Sequence, residues 1–278
     1  VPNESGGLRG VPQRGVRIHL AGVRSGVAKL APHLQRVQHS LVTHAYPKAI
    51  PQWAELWADV PGSNVIVDSG AFTAHTLGKE FALDGYAAFI DEFRSKYEPM
   101  VAELHFMNLD VIGDQSATWR NFDELTRRGH SVMPVLTRDS PASDIDRAAE
   151  HEYFACGGLV GAGRQSVQAW LDQVFARLLK RARLPRVHLL GVTQQWALER
   201  YPIFSSDSSS WLGPIRYGRS RLHGVQRAPR AIAARSAATS AVLIEILCKE
   251  IRLYQELEDY ATALWCKRGI EWAQAGNP

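Results

Sequence analysis

Cysteine is scarce in this chain of 278 residues: Cys156, Cys248 and Cys266 stand far apart. No CxxC or CxC pair occurs, so the spacing gives no zinc site, and the sparse, odd count points to a reducing, intracellular setting. No apolar run approaches the roughly 18 residues of a membrane-spanning helix. The opening VPNESGGLRGVPQRG is polar and rich in Gly and Pro. It lacks the apolar core of a signal peptide, and residues 1–15 read as a flexible N-terminal arm. A strong charge of one sign is also missing. The balance of +4 is only a mild lean towards anionic partners, one that many enzymes share. No GxGxxG or GxxxxGK pattern marks a nucleotide loop.

What is present is alternation. Short apolar runs read as strands at 17–22, 40–46, 64–68, 103–109, 131–136, 153–157, 186–190 and 203–206. Helical patterns separate them at 27–37, 51–58, 84–97, 116–128, 141–150, 166–183 and 194–201. In the helix over 84–97, Tyr86, Phe89, Ile90 and Phe93 form an apolar stripe. Another helix, 241–265, carries Leu243, Leu247, Ile251 and Tyr254 at three- and four-residue steps, a core-facing pattern. Strand–helix alternation implies a parallel sheet, and eight repeats favour a closed (β/α)8 TIM-like barrel over an open Rossmann sheet. Residues 16–278 read as a single catalytic domain of that kind, with a basic segment at 214–236.

In such a barrel the chemistry collects at the C-terminal ends of the strands. Three carboxylates fall there. Asp68 ends VIVD and is followed by Ser69-Gly70-Ala71-Phe72; Asp110 follows the fourth strand; Asp207 follows the eighth. GGLVGAG, from Gly157, follows the sixth. A single such Asp is more often a helix cap or an Asx-turn. Three together repel one another and are seldom assembled for stability. Paired carboxylates across a sugar carbon can run displacement at an anomeric centre, one as nucleophile and one handling protons. A glycine-rich turn can contact a flat heterocycle through its backbone, and an aromatic such as Phe72 can stack on it.

The series DSGAF, NLDVIGD, GGLVGA, HLLGV and FSSDSSS, in order over Val65–Trp211, resembles the tRNA-guanine transglycosylase superfamily. The resemblance implies a nucleophile at Asp207, a general acid/base at Asp68, and a carboxylate at Asp110 that holds the guanine edge. It also implies base contacts from Ser69, Phe72, Gly158 and Leu159. The reaction would exchange guanine for a 7-deazaguanine and leave the sugar–phosphate chain intact. The chain departs from the tRNA enzymes in having no CxCxxC…H zinc motif, so neither a zinc subdomain nor any other cofactor is expected. PVLTRD replaces their GIVQGG, and Ala71 and Thr73 replace a Gly and a Gln. It is more similar to the DpdA-type DNA 7-deazaguanine transglycosylases of phages and bacterial genomic islands. That likeness implies DNA as partner, a preQ0-like base as small substrate, and protection of phage DNA from restriction in the bacterial or phage-infected host cytoplasm. Alternatives are a tRNA substrate, a retaining glycosidase on a small sugar, or an inactive barrel that binds nucleic acid. Oligomeric state is left open.

After Trp211, six arginines fall within twenty residues with no acid among them. Arg216, Arg219, Arg221 and Arg227 are the candidates for contact with a phosphate backbone. Trp211 or Tyr217 could fill the gap left by a flipped nucleotide, although both could equally be core. The histidines His19, His44, His75 and His105 could lie near the barrel mouth, but IHLAG lacks the HxH pair of a metallohydrolase.

Overall fold

The structure is a computed structural model that describes residues 15–34, 37–60, 62–217, 219–220, 226–227 and 241–272. Its strands are β1 (Arg17–Leu20), β2 (His39–Thr43), β3 (Asn64–Asp68), β4 (Glu103–Met107), β5 (Val132–Met133), β6 (Val135–Thr137), β7 (Tyr153–Gly157), β8 (Arg186–Leu189) and β9 (Ser205–Ser208). They pair in the order β5-β4-β3-β2-β1-β9-β8-β7-β6, with every pairing parallel. The two end strands, β5 and β6, are neighbours in sequence. The sheet therefore curls into a nearly closed barrel, an α/β TIM-like fold with helices outside.

Those helices are α1 (Ser25–Ala28), α2 (Ile50–Asp59), α3 (Ala71–Thr76), α4 (Leu83–Tyr97), α5 (Gln115–Arg127), α6 (Ala142–Ala148), α7 (Arg164–Leu178), α8 (Gln195–Arg200), α9 (Gly213–Tyr217) and α10 (Ala241–Lys267). Helix α4 buries Tyr86, Ile90 and Phe93 as its stripe predicts. Helix α10 buries Leu243, Leu247, Ile251 and Tyr254. It is also tied to the barrel by polar bonds: Thr262 Oγ1 accepts from Val16 N at 2.9 Å, and Glu258 Oε1 accepts from Ile18 N at 2.5 Å. Burial pushes the Glu258 carboxyl up to about 8.

Several expected boundaries move for identifiable reasons. The expected strand over 131–136 is cut at Pro134, which has no N–H to give the ladder. Its carbonyl still accepts from Ala155 N at 2.9 Å. The eighth expected strand shifts from 203–206 to Ser205–Ser208, so Asp207 lies inside the ladder, opposite His19. The expected helix over 27–37 is reduced to α1 and a 3₁₀ turn at Ala31–His33, because Pro32 interrupts it. Helix α3 was not expected; it begins after Gly70, whose φ of 80° suits glycine. Residues 1–14, and with them nearly all of the expected arm, lie outside the described residues. Of the expected basic segment, Arg219–Ser220 pair antiparallel with Gln226–Arg227, while Arg221 lies outside the described residues. Among the described residues no helix is long and apolar enough to cross a membrane.

The barrel interior is charged at its N-terminal end. Arg17 holds Glu103 through two contacts, Nη1–Oε2 at 2.5 Å and Nη2–Oε1 at 2.9 Å. Arg186 Nη1 stands 3.9 Å from the same carboxylate. The two guanidiniums also lie over the rings of Phe204 and Tyr153, at 4.8 and 4.7 Å, where the cation–π attraction is strongest for desolvated pairs. Burial disfavours the Glu103 anion, but hydrogen bonds from His105 and Arg17 and the Arg17 charge hold it well below the usual carboxylate range. One layer up, burial and the Arg17 charge push His39 down to about 3. Burial, then His39 and His188, lower His19 as well.

Trp211 is core. Its side chain is 0% exposed and its Nε1 donates to the Ala21 carbonyl at 2.8 Å. It cannot swing into a nucleic-acid stack without leaving that site empty. Trp211→Ala should cost about 3–5 kcal/mol in urea unfolding; a loss under about 1 kcal/mol would contradict the packing described.

Candidate active site

The C-terminal ends of the strands open into a cavity of about 620 Å³. Asp68 and Asp207 stand in its wall together with Phe72, Thr73, Leu159 and Gly191. Arg24, Arg164 and Arg216 contribute to the same lining.

Asp207 is 8% exposed and firmly held. Its Oδ1 accepts from Gly191 N at 2.7 Å and lies 3.3 Å from His188 Nε2. Gly191 has φ 71°, and a Cβ there would stand 2.3 Å from Val160 Cγ2, so only glycine brings this N–H to the acid. With Asp207 Oδ1 as the acceptor of this contact, the His188 proton lies on Nε2. Nδ1 of His188 then accepts from Ser205 Oγ at 2.6 Å, and Ser205 Oγ accepts from Tyr153 OH at 2.5 Å. Burial pushes the Tyr153 phenol up to about 12, so it remains a donor. The bonds all run towards Asp207. Among the described residues its second oxygen, Oδ2, accepts none.

Asp68 behaves differently. Burial first, then the charges of Asp110 and Asp207, push it up to about 7, against hydrogen bonds from Thr43 and Gly70 N. The Gly70 bond is 3.0 Å long. Gly70 must be glycine, since a Cβ would stand 2.8 Å from Ala45 N. Asp110 is also raised by burial, despite the Ser69 hydroxyl that donates to its Oδ1 at 2.9 Å. Below the acids the buried Tyr86 hydroxyl donates to Met107 O at 2.6 Å and fixes the end of β4. The next acid along, Asp114, is a helix cap, with Oδ1 accepting from Ala117 N. The cap explanation therefore fits Asp114 but not Asp110 or Asp207.

The expected site residues divide. Asp68, Asp207, Phe72, Leu159 and Arg216 line the cavity; Asp110, Ser69 and Gly158 do not. Phe72 is 62% exposed, a ring free to meet a ligand. Ser69 is fully buried and bridges Asp110 to Ala71 N. Gly158 turns its carbonyl to Arg138 Nε at 3.1 Å. His75 does not line the cavity, and His44 packs on Phe81 and Phe89 with ring centroids 4.5 and 4.6 Å away. Arg219 and Arg227 are placed only as partners in the small antiparallel pairing. Sequence reasoning missed His188, Arg24 and Arg164. Arg24 lies over Tyr46 at 4.7 Å and Arg164 over Trp196 at 5.0 Å. Among the described residues no group of three His, Cys, Asp or Glu could hold a metal ion. No protein-family model matches the chain, and no curated protein matches it.

The raised Asp68 has a consequence for stability. Between about pH 4 and pH 7 the folded carboxyl keeps a proton that the unfolded chain has released. Native Asp68 thus weakens the fold as pH rises through that window. Asp68→Asn should gain stability relative to the parent between about pH 4 and pH 8, read as the urea midpoint. An equal difference at both ends would contradict the shift.

Proposed function

We propose that this protein is a transglycosylase that exchanges guanine in DNA for a 7-deazaguanine of the preQ0 kind. The observation that carries the reading is the division of labour between two acids in one cavity. Asp207 has Oδ1 occupied by two N–H donors and Oδ2 unoccupied among the described residues, while Asp68 holds its proton near neutrality. That pairing suits double displacement at an anomeric carbon.

In the first step Asp207 Oδ2 attacks C1′ of the guanosine as the C1′–N9 bond breaks. Asp68 gives its proton to the departing guanine. Gly191 N–H and His188 Nε2–H stay on Oδ1, which becomes the carbonyl oxygen of the sugar ester. In the second step the Asp68 carboxylate takes the N9 proton of the incoming base, whose nitrogen attacks C1′ and releases Asp207. Both acids return to their starting states, and no cofactor enters. Phe72 stacks on the base and Leu159 packs beside it; Asp110, oriented by Ser69 and lying behind the cavity wall, would reach the guanine edge only from beyond the present lining. Gly158 shapes the turn that carries Leu159.

We read the nine strands as the eight of a (β/α)8 barrel, one of them broken at Pro134, without a zinc subdomain. The DNA backbone is met by Arg216 and by the arginines at 219, 221 and 227. The target nucleotide must leave the duplex stack to reach the cavity. Guanidiniums in the lining favour a phosphorylated substrate over a small neutral sugar. Such an enzyme works in a bacterial or phage-infected cytoplasm, where the modified base shields phage DNA from restriction.

Incubation with radiolabelled guanine or preQ0 and either DNA or tRNA tests this. Label should enter DNA, and Asp207→Ala should abolish incorporation; label in tRNA but not in DNA would overturn the substrate. His188→Ala should lower the exchange rate roughly 100-fold, the scale for loss of one preorganised donor. His188→Gln, which can still offer an N–H, should recover part of that loss. Equal rates for the two variants would leave His188 without this role.

A further inference from the structure

Two arginines in the cavity wall stand together for a reason that the acids do not supply. Arg24 follows β1, and its guanidinium carbon lies over the Tyr46 ring, 4.7 Å from the centroid. Arg216, on α9, donates from Nη1 to Ser209 Oγ at 3.1 Å. Its Nη2 occupies space that a Cβ on Gly22 would reach at 3.0 Å, so the bare Gly22 backbone lets this guanidinium settle against the turn that carries Arg24. The two charges are close enough that Arg24, after burial, lowers Arg216. Among the described residues no carboxylate pairs with either. The acids of the same cavity are engaged elsewhere, Asp207 by Gly191 and His188 and Asp68 by Gly70.

Two like charges held side by side repel, and the usual remedy is an acid between them. Here the space beside them is open cavity, lined also by Ser209 and Ser210. Guanidinium is planar, weakly hydrated and suited to bidentate grip on phosphate oxygens. Cation–π contact with Tyr46 holds Arg24 at this wall of the cavity. Ser209 is two residues beyond Asp207, just past the end of β9, so an anion bound here sits close to the sugar under attack. We propose that Arg24 and Arg216 form a phosphate subsite for the phosphodiester next to the nucleotide whose C1′ meets Asp207. The proposal rests on the reading of Asp207 as the nucleophile. It adds that one particular phosphate is gripped at the catalytic centre, by a residue from the β1 loop as well as by the segment after Asp207.

The test is a coupling experiment on the full chain. The probes are a short single-stranded deoxyoligonucleotide with one guanosine and two versions with a neutral methylphosphonate, one on its 5′ side and one on its 3′ side. Binding is read by fluorescence anisotropy for the parent and for the Arg24→Gln/Arg216→Gln variant, after thermal unfolding has shown that the variant is folded. One of the two neutral replacements should weaken binding to the parent about tenfold, the scale of one charge-assisted contact. The same replacement should leave binding to the variant unchanged. An equal loss in parent and variant, no loss in the parent, or no binding of the unmodified strand would overturn the subsite. Exchange of labelled guanine is measured on the same samples. Coupling without exchange keeps the phosphate subsite and removes the transglycosylase; exchange without coupling does the reverse.

Discussion

Glu103 holds the interior of the barrel together. A TIM-like interior is ordinarily filled by layers of branched apolar side chains. Here the lowest layer contains Arg17 and Arg186, and the Glu103 carboxylate contacts both. Two guanidiniums inside a barrel are costly unless they are paired and hydrogen-bonded. Glu103 supplies that pairing, and the rings of Phe204 and Tyr153 supply the rest. With the positive layer fixed, the layer above must remain uncharged. His19 and His39 are both pushed down by burial first, His19 next by His39 and His188 and His39 next by Arg17.

Above that layer stands the cavity end of the barrel. Tyr153 belongs to both levels: its ring receives Arg186, and its hydroxyl starts the chain through Ser205 and His188 to Asp207. A polar barrel core thus sets the direction of hydrogen bonding at the cavity floor. The acids then separate by environment. Asp207 takes two N–H donors, whereas Asp68 is desolvated and faces two other carboxylates. Asp68 and Asp110 are both pushed towards keeping a proton, while Asp207 offers Oδ1 to Gly191 and His188, a division that the proposed displacement at a sugar carbon would use.

Much of this was legible in the residues. Periodicity located α4 and α5 to within a residue, overran the end of α7 by five residues, and placed three acids at one rim. What it missed has physical causes. Pro134 and Pro32 break a strand and a helix whose apolar patterns run on through them. Asp207 sits within β9, because the serines around it pair with β1 and β8 despite their weak strand preference. The inner polar layers had a signal that went unread: RIHL, ELHF and RVHL repeat one alternation in β1, β4 and β8. In a parallel strand that period of two places a charge and then a histidine on one face. Arg24 and Arg164 had no such signal, since single arginines in loops look alike until the fold brings them to a common cavity.

In the proposed mechanism Asp207 becomes covalently joined to the sugar. Incubation with DNA in the absence of an incoming base, followed by denaturing separation, proteolysis and mass spectrometry, reads this directly. A deoxyribose-linked adduct on the peptide that contains Asp207, lost on addition of free 7-deazaguanine, is the predicted result. An adduct mapped to Asp68 or Asp110, or exchange that proceeds with no adduct at any carboxylate, would contradict it.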